Sequence, residues 1–361
     1  MSPLLTFIYL ASGLAILVVG ADLLIKGASS LAKSFGVPPL VIGLTIVAFG
    51  TSSPELTIGI ISSLKGESNL ALGNVVGSNI ANILLILGLS ALIYPIKINR
   101  QIIRSEVPFM ILSSFLVWLV AADKEITRLN GSLLFLGFAL YTFFQIRIAH
   151  KAKPLSSSDT IVKELSGESK FQIIQVLYLI LGLGGLAFGS KLFVDAAVLL
   201  AKHLGVSELV IGLTIVSIGT SLPEIVTSLV AAYRKESDIA VGNVIGSCIF
   251  NSLSVLGLSA IFSKTTLIVP DIALNFDIPV MVAASIACLP IFFSEYRVGR
   301  WEGALFLGYY IIYTLKLILE ANGSSYLPIM QHASFYYIIP LTVLVVSTAT
   351  FKFHKKNQIK E

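Results

Sequence analysis

Two glutamates occupy settings in which glutamate is costly. Glu55 ends the run Gly50-Thr51-Ser52-Ser53-Pro54-Glu55, and Glu224 ends Gly219-Thr220-Ser221-Leu222-Pro223-Glu224, both within long apolar stretches. A charge at the centre of a bilayer costs about 3 kcal/mol on insertion scales, so such a residue is retained for a purpose. Thr51 with Glu55 and Ser78 with Asn82 have the spacing that shares a helical face, and Thr220 with Glu224 and Ser247 with Asn251 repeat it. Ala48 and Ser217 precede the threonines on that face. Proline removes a backbone donor and the nearby glycine loosens the same stretch, which frees carbonyls for a cation wherever they face protein or water. Every group in this inventory is a hard oxygen ligand, and Ca²⁺ takes about six to eight of them. Thiolates and imidazoles, which would suit zinc or copper, are missing from both motifs. A lone serine in a membrane helix usually bonds its own backbone, and Gly73, Gly77 and Gly88 read as a stripe for close helix packing. No such bland account covers two buried glutamates.

The two settings are copies. Residues 37–93 return at 206–262 with a constant shift of 169, and 30 of the 57 aligned positions are identical. Glu55 pairs with Glu224, Asn82 with Asn251 and Ser78 with Ser247, which points to one site assembled from two halves of the chain. Weaker echoes follow at a shift of 171: Glu106-Val-Pro108 with Asp277-Ile-Pro279, and Leu136-Gly137 with Leu307-Gly308. Glu106 and Asp277, close to span starts, are expected to satisfy helix N-termini, with a gating role as the alternative.

These residues need a membrane around them. The chain has 361 residues, 55% hydrophobic and only 12% charged, against roughly 25% charged in soluble domains. That excludes an ordinary soluble protein and predicts an all-α polytopic membrane protein. Eleven apolar spans are expected near 4–25, 38–64, 69–94, 102–122, 129–149, 171–190, 207–232, 239–263, 274–294, 302–320 and 335–351. The polar segment 151–170 reads as a short cytoplasmic linker between two five-span halves, 1–150 and 171–320, while 321–361 adds an extra C-terminal helix and a basic tail. Five is odd, so the second half enters from the opposite face. The fold expected is two inverted five-helix repeats, ten core helices, plus one extra helix. With the N-terminus outside and the C-terminus cytoplasmic, 18 of the 25 Lys and Arg residues fall on inward loops and ends, as the positive-inside rule requires. Cys248 and Cys288 lack metal or disulfide spacing and read as small hydrophobes.

The motifs GTSSPE with GNVVGSNIAN, and GTSLPE with GNVIGSCIFN, resemble the two alpha-repeats of the cation/calcium exchanger superfamily, most closely its prokaryotic sodium/calcium exchanger branch. The resemblance covers roughly residues 4–320. It implies ten core helices, with the repeat helices packed around a midplane site and the first and sixth spans sliding across them for alternating access. It also implies that Glu55 and Glu224 are shared calcium and sodium ligands. Thr51, Ser52, Thr220 and Ser221 would add hydroxyl or backbone oxygens, Ala48 and Ser217 carbonyls, and Ser78, Asn82, Ser247 and Asn251 flanking ligands. Some members, the potassium-dependent exchangers among them, hold aspartate where this chain has Asn251. Sodium/calcium antiport across a plasma (cell inner) membrane is therefore the expected function. Proton/calcium antiport and potassium-dependent sodium/calcium exchange are the alternatives. No Ser/His, paired-Asp or HExxH arrangement suggests an enzyme. The expected ligands are calcium and sodium ions in a lipid surround, with no cofactor, nucleic acid or obligate protein partner.

Overall fold

The computed structural model describes residues 3–151, 168–204, 217–324, 326–328 and 347. Most of the linker, residues 206–216 of the second repeat, the side chain of Ser217, the eleventh span except residue 347 and the basic tail lie outside the described residues.

The described residues are helical almost throughout. In order come α1 (Pro3–Phe35), α2 (Pro39–Thr51), α3 (Ser53–Lys65), α4 (Ser68–Ile93), α5 (Ile102–Val120), α6 (Arg128–Lys151) and α7 (Glu168–His203). Then follow α8 (Ser217–Thr220), α9 (Leu222–Tyr233), α10 (Ser237–Phe262), α11 (Ala273–Phe293) and α12 (Arg300–Ala321). Among the described residues, eight helices are long and apolar enough to cross a membrane, and α2 with α3 forms a further span bent by 46°. Rows of exposed apolar side chains on α6, including Leu129, Leu133, Leu136, Leu140 and Phe144, give the outer surface the character that lipid requires.

The first and sixth spans are longer than hydropathy predicts. α1 runs on through Lys26 and Lys33, which lie beyond the expected span of 4–25. Lys26 bonds Asp22 at 2.8 Å one turn away, so the charges continue the helix as a pair instead of ending it. At about 1.5 Å per residue, the 33 residues of α1 exceed a bilayer core, and a helix that long crosses tilted. α1 and α7 lie against each other on glycines: a Cβ at Gly182 would sit 2.6 Å from the Leu24 nitrogen, and one at Gly20 would meet Gly182 O at 2.9 Å.

Two short antiparallel ribbons fix the direction of the helices. β1 (Ile96–Lys97), after α4, pairs with β4 (Arg297–Val298), after α11. β2 (Glu125–Ile126), after α5, pairs with β3 (Leu267–Ile268), after α10. α5 therefore runs from the β1–β4 ribbon to the β2–β3 ribbon, and its sequence counterpart α11 runs the other way. α4 and α10 hold the centre, with 78% and 89% of their most apolar stretches buried, against 17% for α12. α10 lies directly on α2, since a Cβ on Gly246 would meet the Ala48 Cβ at 2.7 Å.

Candidate cation site

The site forms where both bent helices break. Pro54 and Pro223 sit within the first two positions of α3 and α9, where the missing N–H costs least. Ser52 and Ser221 bridge the breaks with nearly identical backbone angles, φ −86°, ψ 10° and φ −88°, ψ 7°. That conformation turns each helix while leaving the following glutamate in its first turn, aimed inward. Glu55 and Glu224 are 0% and 1% exposed, so neither points toward lipid.

The breaks are cross-bonded. Ser52 Oγ donates to Glu224 Oε1 at 2.7 Å, and Ser221 Oγ donates to Glu55 Oε1 at 3.0 Å. Each carboxylate is thus held by the serine of the other half. Ser78 Oγ adds contacts of 3.5 Å to Glu55 and 3.2 Å to Ser221 Oγ. What remains unbonded is as informative. Glu55 Oε2, Glu224 Oε2, Ser247 Oγ and both amide atoms of Asn82 and Asn251 are buried with no hydrogen-bond partner among the described residues. Orphaned polar atoms at this depth cost about 1–3 kcal/mol each, more for charged groups, unless something binds them. The oxygens of this set fit a cation; the two amide nitrogens are hydrogen-bond donors and would face away from it.

Asn82 and Asn251 stand on π-helical stretches, Ala81–Leu87 and Asn251–Val255, a backbone distortion that often marks functional positions. Thr51 does not bond Glu55 despite the shared-face spacing. Its hydroxyl donates to Asn243 Oδ1 at 3.0 Å and contacts Ala48 O at 3.3 Å. The Ala48 carbonyl also accepts the Ser52 N–H, so it is occupied on the protein side. Thr220 lines a cavity beside the site. Of Ser217 only the backbone is described, as the first residue of α8.

Two residues that the sequence reading passed over belong here. Asn74 Nδ2 donates to the Glu55 carbonyl at 3.0 Å, and Asn243 Nδ2 donates to Ser228 Oγ at 2.9 Å and reaches the Glu224 carbonyl at 3.5 Å. Their signal was available, because they are repeat partners at the same shift of 169. Both lie inside continuous helices.

Among the described residues, nothing lies within 4 Å of where a Cβ would stand at Gly73 or Gly77; residues 206–216, the repeat copy of the stretch that packs on Gly242 and Gly246, lie outside them. Gly88 does pack, with Gly303 O at 3.0 Å. One further reading needs correcting. Glu106 caps no helix start, because the backbone is already helical through it. Its buried carboxylate accepts from Tyr141 at 3.0 Å, Gln145 at 2.7 Å, Ser105 at 2.8 Å and Gln101 at 3.3 Å. Asp277 likewise sits in running helix and accepts from Tyr313 at 3.1 Å.

The sequence profile described as sodium/calcium exchanger protein matches residues 5–147 and 174–319. The chain belongs to the sodium/calcium exchanger family. The putative antiporter CaxA of Alkalimonas amylolytica is 39% identical over 87% of this chain and 99% of its own length. The sodium/calcium exchanger MaX1 of Methanosarcina acetivorans is 34% identical over 86% and 98%. The inner membrane protein YrbG of Escherichia coli is 37% identical over 87% and 97%. Among solved structures, the sodium-calcium exchanger NCX_Mj soaked with 10 mM Na⁺ and zero Ca²⁺ matches with a TM-score of 0.75 at 32% identity, covering 86% of this chain and 97% of that one. The exchanger family thus accounts for the helical, membrane-embedded fold and for cation antiport as the class of activity.

Proposed function

We propose that this exchanger moves calcium against sodium by alternating access around Glu55 and Glu224. The observation that carries the reading is the reciprocal bonding of each glutamate by the other half's serine, with the second oxygen of each carboxylate left for an ion. Thr51, Ser52, Ser78, Asn82, Thr220, Ser221, Ser247 and Asn251, with the carbonyls of Ala48 and Ser217, would complete the oxygen shell. The division into 1–150, 151–170, 171–320 and 321–361, with two inverted repeats, fits this mechanism. Opposed copies allow one packing to open to either face. The charge bias of the loops supports an N-terminus outside and a cytoplasmic C-terminus.

Charge arithmetic gives the coupling. Two ionised glutamates contribute −2, which one Ca²⁺ neutralises. An empty −2 site resists passage through the low-dielectric barrier, so the loaded forms move and exchange is enforced over leak. Asn251, in place of the aspartate of potassium-dependent members, favours a potassium-independent cycle. Sodium-gradient-driven calcium uptake in proteoliposomes tests the proposal. Glu55→Gln and Glu224→Gln are each expected to lower uptake by about a hundredfold or more, since each strips a charged ligand from a desolvated ion. Near-normal uptake in either variant would dismiss the site. Uptake driven equally well by a pH gradient would favour proton coupling.

A further inference from the structure

The paired echoes Glu106-Val-Pro108 and Asp277-Ile-Pro279 end the same backbone device, the π-helical stretches Ile102–Glu106 and Ala273–Asp277. Each carboxylate is met by a tyrosine of the following helix, Tyr141 or Tyr313. Their surroundings differ in one respect. Glu106, next to the β1–β4 ribbon, is 1% exposed and sealed by four donors. Asp277, next to the β2–β3 ribbon, lines a cavity of about 330 Å³ that passes Gly73 and Gly77 and reaches Ser78 and Thr220.

The geometry points to Asp277 as a capture site, the first cation contact on the route from the β2–β3 face to Glu55 and Glu224. The inference rests on the exchange reading and adds a residue to it. Among the described residues that line the cavity, Asp277 is the one acidic side chain. A carboxylate in a low-dielectric cleft raises the local concentration of cations. The cation near it is engaged elsewhere: Lys316 Nζ bonds Glu320 at 2.6 Å and lies 3.7 Å over the Phe276 ring, which itself stacks on Tyr313. Asp277 has no ion pair among the described residues, so its charge faces the cavity and the Tyr313 hydroxyl. Glu106 holds the corresponding position at the opposite face, shut off in this state.

The test is Asp277→Asn in membrane vesicles of both orientations, with calcium offered on each face in turn. At low ionic strength, calcium offered on the β2–β3 face is expected to show KM raised by about three- to tenfold with maximal rate kept, the size a single steering charge gives. Choline chloride at roughly 0.5 M, where the Debye length is only a few ångström, is expected to erase most of the difference. Calcium offered on the other face should show an unchanged KM. Tyr313→Phe, which keeps the charge and removes its hydrogen bond, is expected to behave like the native protein. Four results would overturn the inference: an unchanged KM on both faces, a rise in KM that ignores salt, an equal loss of rate on both faces, or a Tyr313→Phe variant that copies Asp277→Asn. Failure of the native protein to exchange at all would instead remove the functional reading beneath it.

Discussion

At the scale of the residue, the chemistry was legible because it is expensive. Two glutamates, with repeated hydroxyls and amides inside apolar runs, have no use in lipid except together, and the structure brings them together by serines that cross between halves. Asn74 and Asn243 were not legible in the same way, since an amide that bonds a helix carbonyl looks like any polar residue in a small-residue stripe. Their role is to hold the backbone of the glutamate, and in Asn243 also to fix Thr51. Removing an outer partner of this kind commonly lowers ion affinity about 10–100-fold. Asn243→Ala is therefore expected to raise the calcium KM by about that factor while leaving a folded protein, checked by uptake kinetics alongside size-exclusion behaviour. A variant with native KM would show that Thr51 and the Glu224 carbonyl need no anchor. Glu106 sets the opposite expectation. With Leu in its place, Tyr141 and Gln145 lose their acceptor in a buried site, and thermal stability in detergent should fall by an amount reflecting about 3 kcal/mol or more.

At the scale of elements, the first and sixth spans exceed the lengths that hydropathy gives them. Hydropathy stopped α1 and α7 where charges began, but a charged pair spaced by one turn, Asp22 with Lys26, can extend a tilted helix past the apolar core. The bend between α2 and α3 was foreseeable from Gly50 and Pro54, whereas the cavity that passes Gly73 and Gly77 depends on neighbours that no single segment reveals. One tie between elements has a direct consequence for the cycle. Asp22 of α1 pairs with Arg234, just after α9, and Ser29 bonds Glu236 at 3.2 Å. Arg234 lies at the β1–β4 end, opposite the open cavity. At the positions shifted by 169 stand Lys191 and Lys65, two like charges, so the other end cannot form the same tie. Breaking a partly exposed ion pair costs about 0.2–1 kcal/mol, enough to shift a two-state balance up to about fivefold. Arg234→Gln is expected to lower thiol labelling of a cysteine placed at Gly73, with Asp22→Asn giving the same change and the double variant no more than either alone. Additive effects would mean that the two residues act separately.

At the scale of the whole molecule, the proposed cycle predicts what neither residue nor helix contains, a net charge that moves. Ribbons at the two faces tie the halves together, with α5 and α11 running in opposite directions between them. One barrier can then shift past a fixed site while that site keeps its −2 charge. Exchanging one Ca²⁺ for three Na⁺ would carry one net positive charge per cycle, and each charge is coupled to the membrane potential by about 2.3 kcal/mol per 100 mV. At about 1.4 kcal/mol per tenfold, a 100 mV step should change the calcium gradient held at a given sodium gradient by close to fiftyfold. Exchange of one Ca²⁺ for two Na⁺ would leave the gradient unchanged by potential, because both loaded sites are then neutral. Sodium-loaded proteoliposomes clamped with valinomycin and stepped potassium gradients separate the two. A steady calcium gradient that ignores potential would remove the third sodium and the +1 intermediate. The two-glutamate site would stand, now moving only in its neutral form, and the barrier that excludes the empty −2 site would also have to exclude a single positive charge.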